Sequence, residues 1–174
     1  AGTFSQTEAT KNCSICGAGK FLVDTGTSTL EHDNEDDCSS CPGGKKLVDM
    51  AMDATLHDSR DDCTTCESGE YSGIGSSSCT ACMAGKHLTN STTSIEADAC
   101  MDCLQGKYSG ASSMFCSSCA GGKYSDISSE SCTLCDSGAY SGVGAGACKG
   151  CAAGKRLINA TIDTEFSACI VSVS

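Results

Sequence analysis

Cysteine constrains this chain more than any other residue, because it recurs as the pair Cys-x-x-Cys throughout the sequence. Eight such pairs are followed by a single Cys, which gives 17 cysteines in 174 residues. The pairs lie at positions 13/16, 38/41, 63/66, 79/82, 100/103, 116/119, 132/135 and 148/151, and the last cysteine is Cys169. Successive pairs begin 16, 21 or 25 residues apart, so the chain is a tandem array of short units.

The units share more than their cysteines. A Gly lies three residues after the second Cys of every pair. A second recurring position, here called the aromatic column, follows two residues after this Gly. The aromatic column contains Phe21, Lys46, Tyr71, His87, Tyr108, Tyr124, Tyr140 and Arg156, and therefore all four Tyr of the chain. The next residue is Ser in the short units and Leu in the long ones. Gly at a fixed place suits a turn with positive φ before a short extended stretch.

The composition excludes a single large hydrophobic core. Phe, Leu, Ile and Val together account for 24 of the 174 residues, and the net charge is −11. A chain with so few large apolar residues and so much charge is usually disordered unless cross-links take the place of the core. About one residue in ten is Cys, and this content is typical of a disulfide scaffold. We therefore predict a small disulfide-rich repeat array: an elongated ladder of short β-hairpin and loop modules with little helix. Contacts are expected between neighbouring modules only.

The array divides at its Cys pairs into nine modules. They are a truncated first module (1–13), a long second (16–38), a long third (41–63), a short fourth (66–79), a long fifth (82–100), short sixth, seventh and eighth modules (103–116, 119–132, 135–148), a long ninth (151–169) and a tail (170–174). Gly2 and Phe4 fit the Gly position and the aromatic column of the first module, whose own first Cys is expected just before Ala1. Ser172 stands where a further second Cys is expected, which indicates a segment of a longer array.

Two disulfide pairings fit this spacing. One joins the second Cys of each pair to the first Cys of the next: Cys16–Cys38, Cys41–Cys63, Cys66–Cys79, Cys82–Cys100, Cys103–Cys116, Cys119–Cys132, Cys135–Cys148 and Cys151–Cys169. It leaves Cys13 unpaired. The other pairing takes the Cys-x-x-Cys pairs two at a time and joins their first cysteines to each other and their second cysteines to each other. It leaves Cys169 unpaired. The first is favoured because it makes every module equivalent.

Closing a loop of about 15 residues by a disulfide contributes roughly 3 kcal/mol to stability. This is as much as burying one Tyr or Leu side chain contributes, at about 2–3 kcal/mol.

Zinc and redox chemistry are the other uses of paired cysteines. The spacing Cys-x2-Cys-x12-Cys-x2-Cys suits four thiolates around zinc, but each pair would be shared between neighbours and an odd Cys remains. A multi-site zinc–thiolate protein is therefore a remote alternative. A thioredoxin-like site needs one reactive pair in a βαβ setting, whereas this chain has eight pairs without one. No cofactor and no metal is assigned.

Two stretches show the repeat most clearly, Cys119-Ala-Gly-Gly-Lys-Tyr-Ser and Cys103-Leu-Gln-Gly-Lys-Tyr-Ser. They resemble the ephrin-receptor-like Cys-rich repeats, which are similar to the one-disulfide modules of tumour-necrosis-factor-receptor and growth-factor-receptor Cys-rich domains. The resemblance covers essentially the whole chain. It implies an extracellular or cell-surface location, because arrays of this family form receptor stalks, adhesion proteins and surface proteins. The long modules depart from it where Lys46, His87 and Arg156 replace the aromatic residue.

Two N-glycosylation sequons occupy equivalent places. Asn90-Ser-Thr and Asn159-Ala-Thr each lie eight residues after the second Cys of a long module, in an expected loop. We predict N-linked glycans at both asparagines.

Two acidic clusters have a less specific meaning. Asp33, Asp36 and Asp37 end the insert of the second module, and Asp58, Asp61 and Asp62 end that of the third. Clustered carboxylates bind Ca²⁺, but without an EF-hand spacing the simpler interpretation is a solvated acidic loop.

The sequence contains no arrangement of catalytic residues, so we do not expect an enzyme. His32, His57 and His87 lie in different modules, without a nucleophile and an orienting carboxylate in a recognisable pattern. The acidic charge argues against nucleic-acid binding. No apolar run approaches the length of a membrane span, so membrane insertion of this segment is not expected.

The predicted function is that of a non-catalytic structural segment of an extracellular fibre or cell-surface coat protein. Its expected partners are other copies of itself or further repeats of the same protein, with N-linked glycans attached. An exposed column of Tyr rings would stack between molecules. The alternative is a ligand-binding or adhesion stalk of a receptor ectodomain.

Overall fold

The computed structural model describes residues 2–5, 13–23, 34–48 and 53–172. Within these residues the chain forms 18 strands of two or three residues, which pair into nine two-stranded antiparallel sheets. Two helices of four residues and three 3₁₀ turns complete the regular structure. The prediction of short β-hairpins with little helix is confirmed.

The elements alternate along the chain as hairpin strands separated by turns. The strands are β1 (Thr3–Phe4), β2 (Ser14–Ile15), β3 (Lys20–Phe21), β4 (Ser39–Ser40), β5 (Lys45–Lys46), β6 (Thr64–Thr65), β7 (Glu70–Tyr71), β8 (Thr80–Ala81), β9 (Lys86–Leu88), β10 (Cys100–Asp102), β11 (Lys107–Tyr108), β12 (Ser117–Ser118), β13 (Lys123–Tyr124), β14 (Thr133–Leu134), β15 (Ala139–Tyr140), β16 (Lys149–Gly150), β17 (Lys155–Leu157) and β18 (Cys169–Val171). The helices are α1 (Glu96–Ala99) and α2 (Glu165–Ala168), and the 3₁₀ turns are Glu35–Asp37, Ala54–Leu56 and Arg60–Asp62. Among the described residues no helix is long and apolar enough to cross a membrane.

Each hairpin explains why the cysteines are spaced as Cys-x-x-Cys. The two residues between the cysteines form one strand, and the two residues after the preceding Gly form the other. In the sixth module Tyr108 of β11 pairs with Ser117 of β12. The N–H of the second Cys then donates to the carbonyl of that Gly, as Cys119 does to Gly106 at 2.8 Å. The spacing therefore fixes the register of the hairpin.

Eight disulfides each close one module, from the second to the ninth, and they follow the first of the two pairings. They are Cys16–Cys38, Cys41–Cys63, Cys66–Cys79, Cys82–Cys100, Cys103–Cys116, Cys119–Cys132, Cys135–Cys148 and Cys151–Cys169. Cys13 is a free, exposed thiol. Ser172 has the backbone role of a second Cys, since its N–H donates to the carbonyl of Gly154 at 2.8 Å. This pairing leaves one thiol in the chain, too few for the thiolate clusters of a multi-site zinc protein.

The chain divides into two compact units, Ala1–Ala81 with Asn90–Ala99 and Cys82–Thr89 with Cys100–Ser174. The first unit contains four of the hairpins and α1, and the second contains five hairpins and α2. Buried apolar residues form small local clusters, each of a few side chains around one disulfide. The prediction that there is no large hydrophobic core is confirmed for the described residues, and the elongated arrangement of the whole array stays a prediction.

Modules contact not only their neighbours but also the modules two places away. The tip of the fourth module illustrates this contact. The N–H of Gly75 donates to the carbonyl of Cys41 in the third module at 2.8 Å. The carbonyl of Gly75 lies over Gly19 of the second module, which has a φ of +78° and where a Cβ atom would overlap that carbonyl. The expectation of nearest-neighbour contacts alone is therefore wrong.

The inserts of the long modules contain the helical turns. The inserts of the second and third modules end in the 3₁₀ turns Glu35–Asp37 and Arg60–Asp62. The fifth and ninth modules instead contain α1 and α2, which the sequence pattern did not predict. A single turn of four residues has too few positions to show a helical period.

Candidate functional site

The aromatic column lies against disulfides. Phe21 packs with the Cys41–Cys63 disulfide of the following module. Tyr140 likewise contacts Cys169 of the Cys151–Cys169 disulfide in the module after its own. Each ring thus covers the sulfur atoms of a disulfide, and together they form most of a small local core.

This packing contradicts the expectation of an exposed Tyr column. Tyr71 and Tyr140 are buried, and Tyr108 and Tyr124 are half-buried. A ring that covers a disulfide of its own chain has no free face to offer a second molecule. The buried rings of Tyr71 and Tyr140 therefore do not offer a surface for stacking between molecules.

Three of the apolar side chains that face solvent lie at equivalent places, at the tips of short modules. Ile74, Ile127 and Val143 each follow the column Tyr by three residues and are 77%, 57% and 76% exposed. Sequence reasoning missed them because only the Cys, Gly and aromatic positions were aligned. The available signal was an apolar residue at one fixed place in an otherwise hydrophilic turn.

The Ser after the column Tyr is a buried hydrogen-bond donor. Ser109 Oγ donates to the carbonyl of Lys86 at 2.8 Å, and Ser125 Oγ donates to the carbonyl of Lys107 at 2.9 Å. In both cases the acceptor belongs to the strand of the preceding module. The Ser column therefore donates hydrogen bonds to backbone carbonyls of the preceding module.

His57 replaces this Ser in the third module, where Leu47 occupies the Ser position. The ring of His57 is fully buried, and its Nδ1 lies 2.8 Å from the carbonyl oxygen of Lys20. Because a carbonyl can only accept, the Nδ1–H of His57 is the donor. His57 is therefore a structural residue. His32 lies outside the described residues.

His87 is the member of the aromatic column that offers reactive chemistry. It lies on β9, and its Nδ1 is 3.2 Å from the Sγ of Cys116. Cys103, the disulfide partner of Cys116, is fully buried. The ligand-type atoms of these three residues lie within 4.8 Å of one another. The form of Cys that binds metals is the thiolate, so the disulfide form is not a metal centre.

The acidic clusters cap 3₁₀ turns. The Asp37 carboxylate accepts the N–H of Asn34 at 3.0 Å, and the Asp62 carboxylate accepts the N–H of Ser59 at 2.8 Å. Both contacts belong to capping boxes. They stabilise the last turn of each long insert, directly before the next Cys. These carboxylates thus have a structural role that does not require Ca²⁺. Asp33 lies outside the described residues.

The two sequons share one local geometry in loops. The N–H and the Oγ1 of Thr92 both donate to Asn90 Oδ1, at 3.0 and 2.8 Å. Thr161 makes the same pair of bonds to Asn159 Oδ1 at 2.9 and 2.8 Å. Asn90 is exposed and Asn159 is half-buried. Glycan attachment at both positions stays a prediction.

One ion pair ties the helix of the ninth module to its strand. Lys155 Nζ donates to Glu165 at 3.1 Å, and the N–H of Ala152 donates to the same carboxylate at 3.1 Å. The bond from Lys155 is the main cause that lowers the pKa of Glu165, followed by the bond from Ala152 and the positive charge of Lys155. A similar local cap, from the Thr55 hydroxyl and N–H, lowers the pKa of Asp53.

No protein-family model matches the chain, and no curated protein matches it either. The architecture itself is a Cys-rich repeat array with eight disulfides and short β-hairpins. Proteins with this density of disulfides are typical of secreted and extracellular environments, where disulfides persist.

Proposed function

We propose that this chain is a non-catalytic structural segment of an extracellular fibre or cell-surface coat protein, built from tandem repeats of the ephrin-receptor-like type. The observation that carries the proposal is the three-module contact at the tips of the short modules. In the eighth module the N–H of Gly144 donates to the carbonyl of Cys119 at 2.8 Å. The carbonyl of Gly144 lies over Gly106 of the sixth module. Pulling one module out of the array breaks contacts with two others.

The covalent frame adds to this mechanical reinforcement. Every module from the second to the ninth is closed by its own disulfide, and a closed loop limits how far the chain extends when non-covalent contacts break. Such a frame resists proteolysis as well, because local opening releases only a short loop. Resistance to extension and to proteases is what a spacer or coat protein requires.

The surface chemistry fits a protein exposed to the extracellular medium. The net charge is −11, and Asn90 and Asn159 lie in loops of long modules. N-linked glycans there would add hydrophilic bulk without disturbing the hairpins. The same negative charge disfavours nucleic acid as a partner.

A non-catalytic role also agrees with the depression at the tip of the fourth module. This open cavity of about 280 Å³ is lined by Tyr71, Ser72, Gly73, Gly75, Ser76, Ser77, Ser78, Thr80 and Ser94. Its lining offers hydroxyl groups but no His, Lys or carboxylate to activate them as nucleophiles.

For self-association we propose the exposed tips of the short modules in place of the Tyr rings. Ile127 and Val143 present the same kind of apolar side chain from equivalent positions of the seventh and eighth modules. A second copy of the chain offers the same set of side chains, so the surface can pair with itself. Each contact is small, and repetition along the array supplies the affinity.

Electron microscopy of native material tests the structural function. Ordered filaments or a lattice that contains this segment are expected. Replacing Ile127 and Val143 by Asp should dissolve the assemblies, whereas Thr133→Asp, on an exposed strand away from the tips, should leave them intact. A monodisperse monomer that captures a soluble protein ligand with sub-micromolar affinity would overturn the proposal.

A receptor or adhesion stalk is the second candidate, and one observation favours it. Phe115 in the sixth module and Phe166 in the ninth are 79% and 93% exposed. Large exposed aromatic side chains are common centres of protein–protein interfaces. If the chain binds a protein ligand, Phe115→Ser or Phe166→Ser should abolish capture while the tip variants do not.

A further inference from the structure

His87 differs chemically from the aromatic rings that cover other disulfides. Phe21 and Tyr140 present apolar ring atoms to the disulfide of the following module. His87 occupies the same column, but its Nδ1 lies 3.2 Å from the Sγ of Cys116. A hydrogen-bonding nitrogen thus replaces a hydrocarbon surface at one disulfide of the array.

The two cysteines of this disulfide also differ in burial. Cys103 is fully buried, whereas Cys116 is half-buried and follows Phe115, a residue that is itself 79% exposed. A thiol arriving from solvent therefore reaches Cys116 first. The attack that this geometry permits is on the sulfur that faces the imidazole.

We propose that Cys103–Cys116 is the disulfide of this chain that exchanges most readily with external thiols, and that Cys116 is the site of a mixed disulfide with a small thiol. A thiolate R–S⁻ attacks Cys116 Sγ and forms the bond R–S–Sγ. The Sγ–Sγ bond to Cys103 breaks, and its electron pair leaves with Cys103 Sγ, which takes a proton from water. One disulfide is consumed and one is formed, so the external thiol is the only co-reactant needed.

The imidazole of His87 accelerates this exchange electrostatically. In the transition state the negative charge of the attacking thiolate is distributed over three sulfurs in line, of which Cys116 Sγ is the central one. When Nδ1 carries a proton, its N–H donates to that sulfur and stabilises the charge. A hydrogen bond to a charged group corresponds to roughly a tenfold or greater rate difference. A Tyr ring in the same position provides no such donor.

The seventh module supplies a matched control within the same chain. Its disulfide, Cys119–Cys132, spans the same 13 residues as Cys103–Cys116. Cys119 is fully buried and Cys132 is half-buried, as in the sixth module. The aromatic-column residue that precedes it is Tyr108 instead of His87. The two sites differ in the column residue, and Cys103 Sγ also lies 3.3 Å from Ser109 Oγ. Exchanging the column residue in both directions separates these two differences.

The test is a timed exchange with glutathione. The full chain carrying Cys13→Ser, which removes the free thiol as a competing nucleophile, is incubated with reduced glutathione at constant pH. Samples are quenched with N-ethylmaleimide and mapped by mass spectrometry. Glutathione is expected on Cys116, and maleimide on Cys103, about tenfold sooner than on Cys132 and Cys119.

Two reciprocal variants assign the effect to the imidazole. His87→Tyr installs the residue found in four other modules and should slow exchange at Cys116 to the rate at Cys132. Tyr108→His should raise the rate at Cys132 by about tenfold. Equal rates at the two disulfides in the parent chain, earlier opening of any other disulfide, or unchanged rates in both variants would overturn the proposal. Circular dichroism before the exchange verifies that each variant is folded.

Discussion

The contact between modules two places apart makes a quantitative prediction at Gly106. Its φ is +78°, in the left-handed region, and a Cβ atom there would overlap the carbonyl of Gly144. Gly106→Ala therefore combines backbone strain of about 1–2 kcal/mol with an overlap that costs roughly 1–3 kcal/mol to relieve. We expect the free energy of unfolding to fall by about 2–5 kcal/mol.

Two other glycines separate the strain from the overlap. Gly138 has the same role in its own hairpin and a φ of +86°, but a Cβ atom there meets nothing within 4 Å. Gly138→Ala should cost the strain alone, about 1–2 kcal/mol. Gly110 has neither a positive φ nor a neighbour within 4 Å, so Gly110→Ala should change the stability by less than about 0.5 kcal/mol.

Residue-level hydrogen exchange, with the disulfides intact, is the most direct assay. The N–H of Gly144 is bonded to the carbonyl of Cys119, so displacement of the tip exposes that amide. Displacement of the tip depends on the overlap alone, roughly 1–3 kcal/mol, so in Gly106→Ala we expect the protection of the Gly144 amide to fall by a factor of roughly 5–150. In Gly138→Ala it should be retained. Equal loss of protection in the two variants, or equal losses of stability, would refute the three-module contact.

Four further predictions concern individual side chains. Ser128→Gly should raise the stability by about 0.5–1 kcal/mol in guanidinium unfolding, because Ser128 has a φ of +58°. His57→Leu should lower it by about 1–3 kcal/mol by leaving the Lys20 carbonyl without its donor, whereas His57→Asn should lose less. Chain from a eukaryotic secretory pathway should carry glycans at Asn90 and Asn159, detected as mass shifts that Asn→Gln removes; unmodified asparagine at both sites would contradict this. Because the pKa of Glu165 is lowered on folding, its contribution to stability is present above the unfolded pKa and is lost as the pH falls through the folded value; NMR titration should show the shift disappear in Lys155→Met.

The hairpins and the bridges were predictable because both depend on short-range spacing. Two residues between cysteines leave room for one two-residue strand, and the Gly three residues later provides the turn that brings the other strand beside it. These relations recur in every module, so a single sequence contains several independent examples of them. The small local cores follow directly, since few large apolar residues are present to form anything larger.

The relations between modules were not predictable in the same way. That Gly19 is approached by the carbonyl of Gly75 depends on how successive hairpins are rotated, and 56 residues separate the two glycines. The burial of the Tyr column has the same origin, because the sulfur atoms that the rings cover belong to the following module. The role of His57 was not predictable for a different reason. His57 bonds the carbonyl that a Ser hydroxyl bonds in the short modules, but it does so from another position in its module.

The tip contacts also determine what happens at Cys103 once its disulfide has opened. The carbonyl of Cys103 accepts the N–H of Ser128 at 2.9 Å, and its N–H donates to the carbonyl of Gly85 at 2.8 Å. Neither bond involves the sulfur, so exchange at Cys116 leaves the backbone of Cys103 held by the modules on both sides. The freed thiol stays close to the mixed disulfide and can attack it again, expelling the external thiol. Exchange at this position is therefore expected to be reversible without unfolding of the neighbouring modules, which distinguishes a chemical modification site from a weak point in the array.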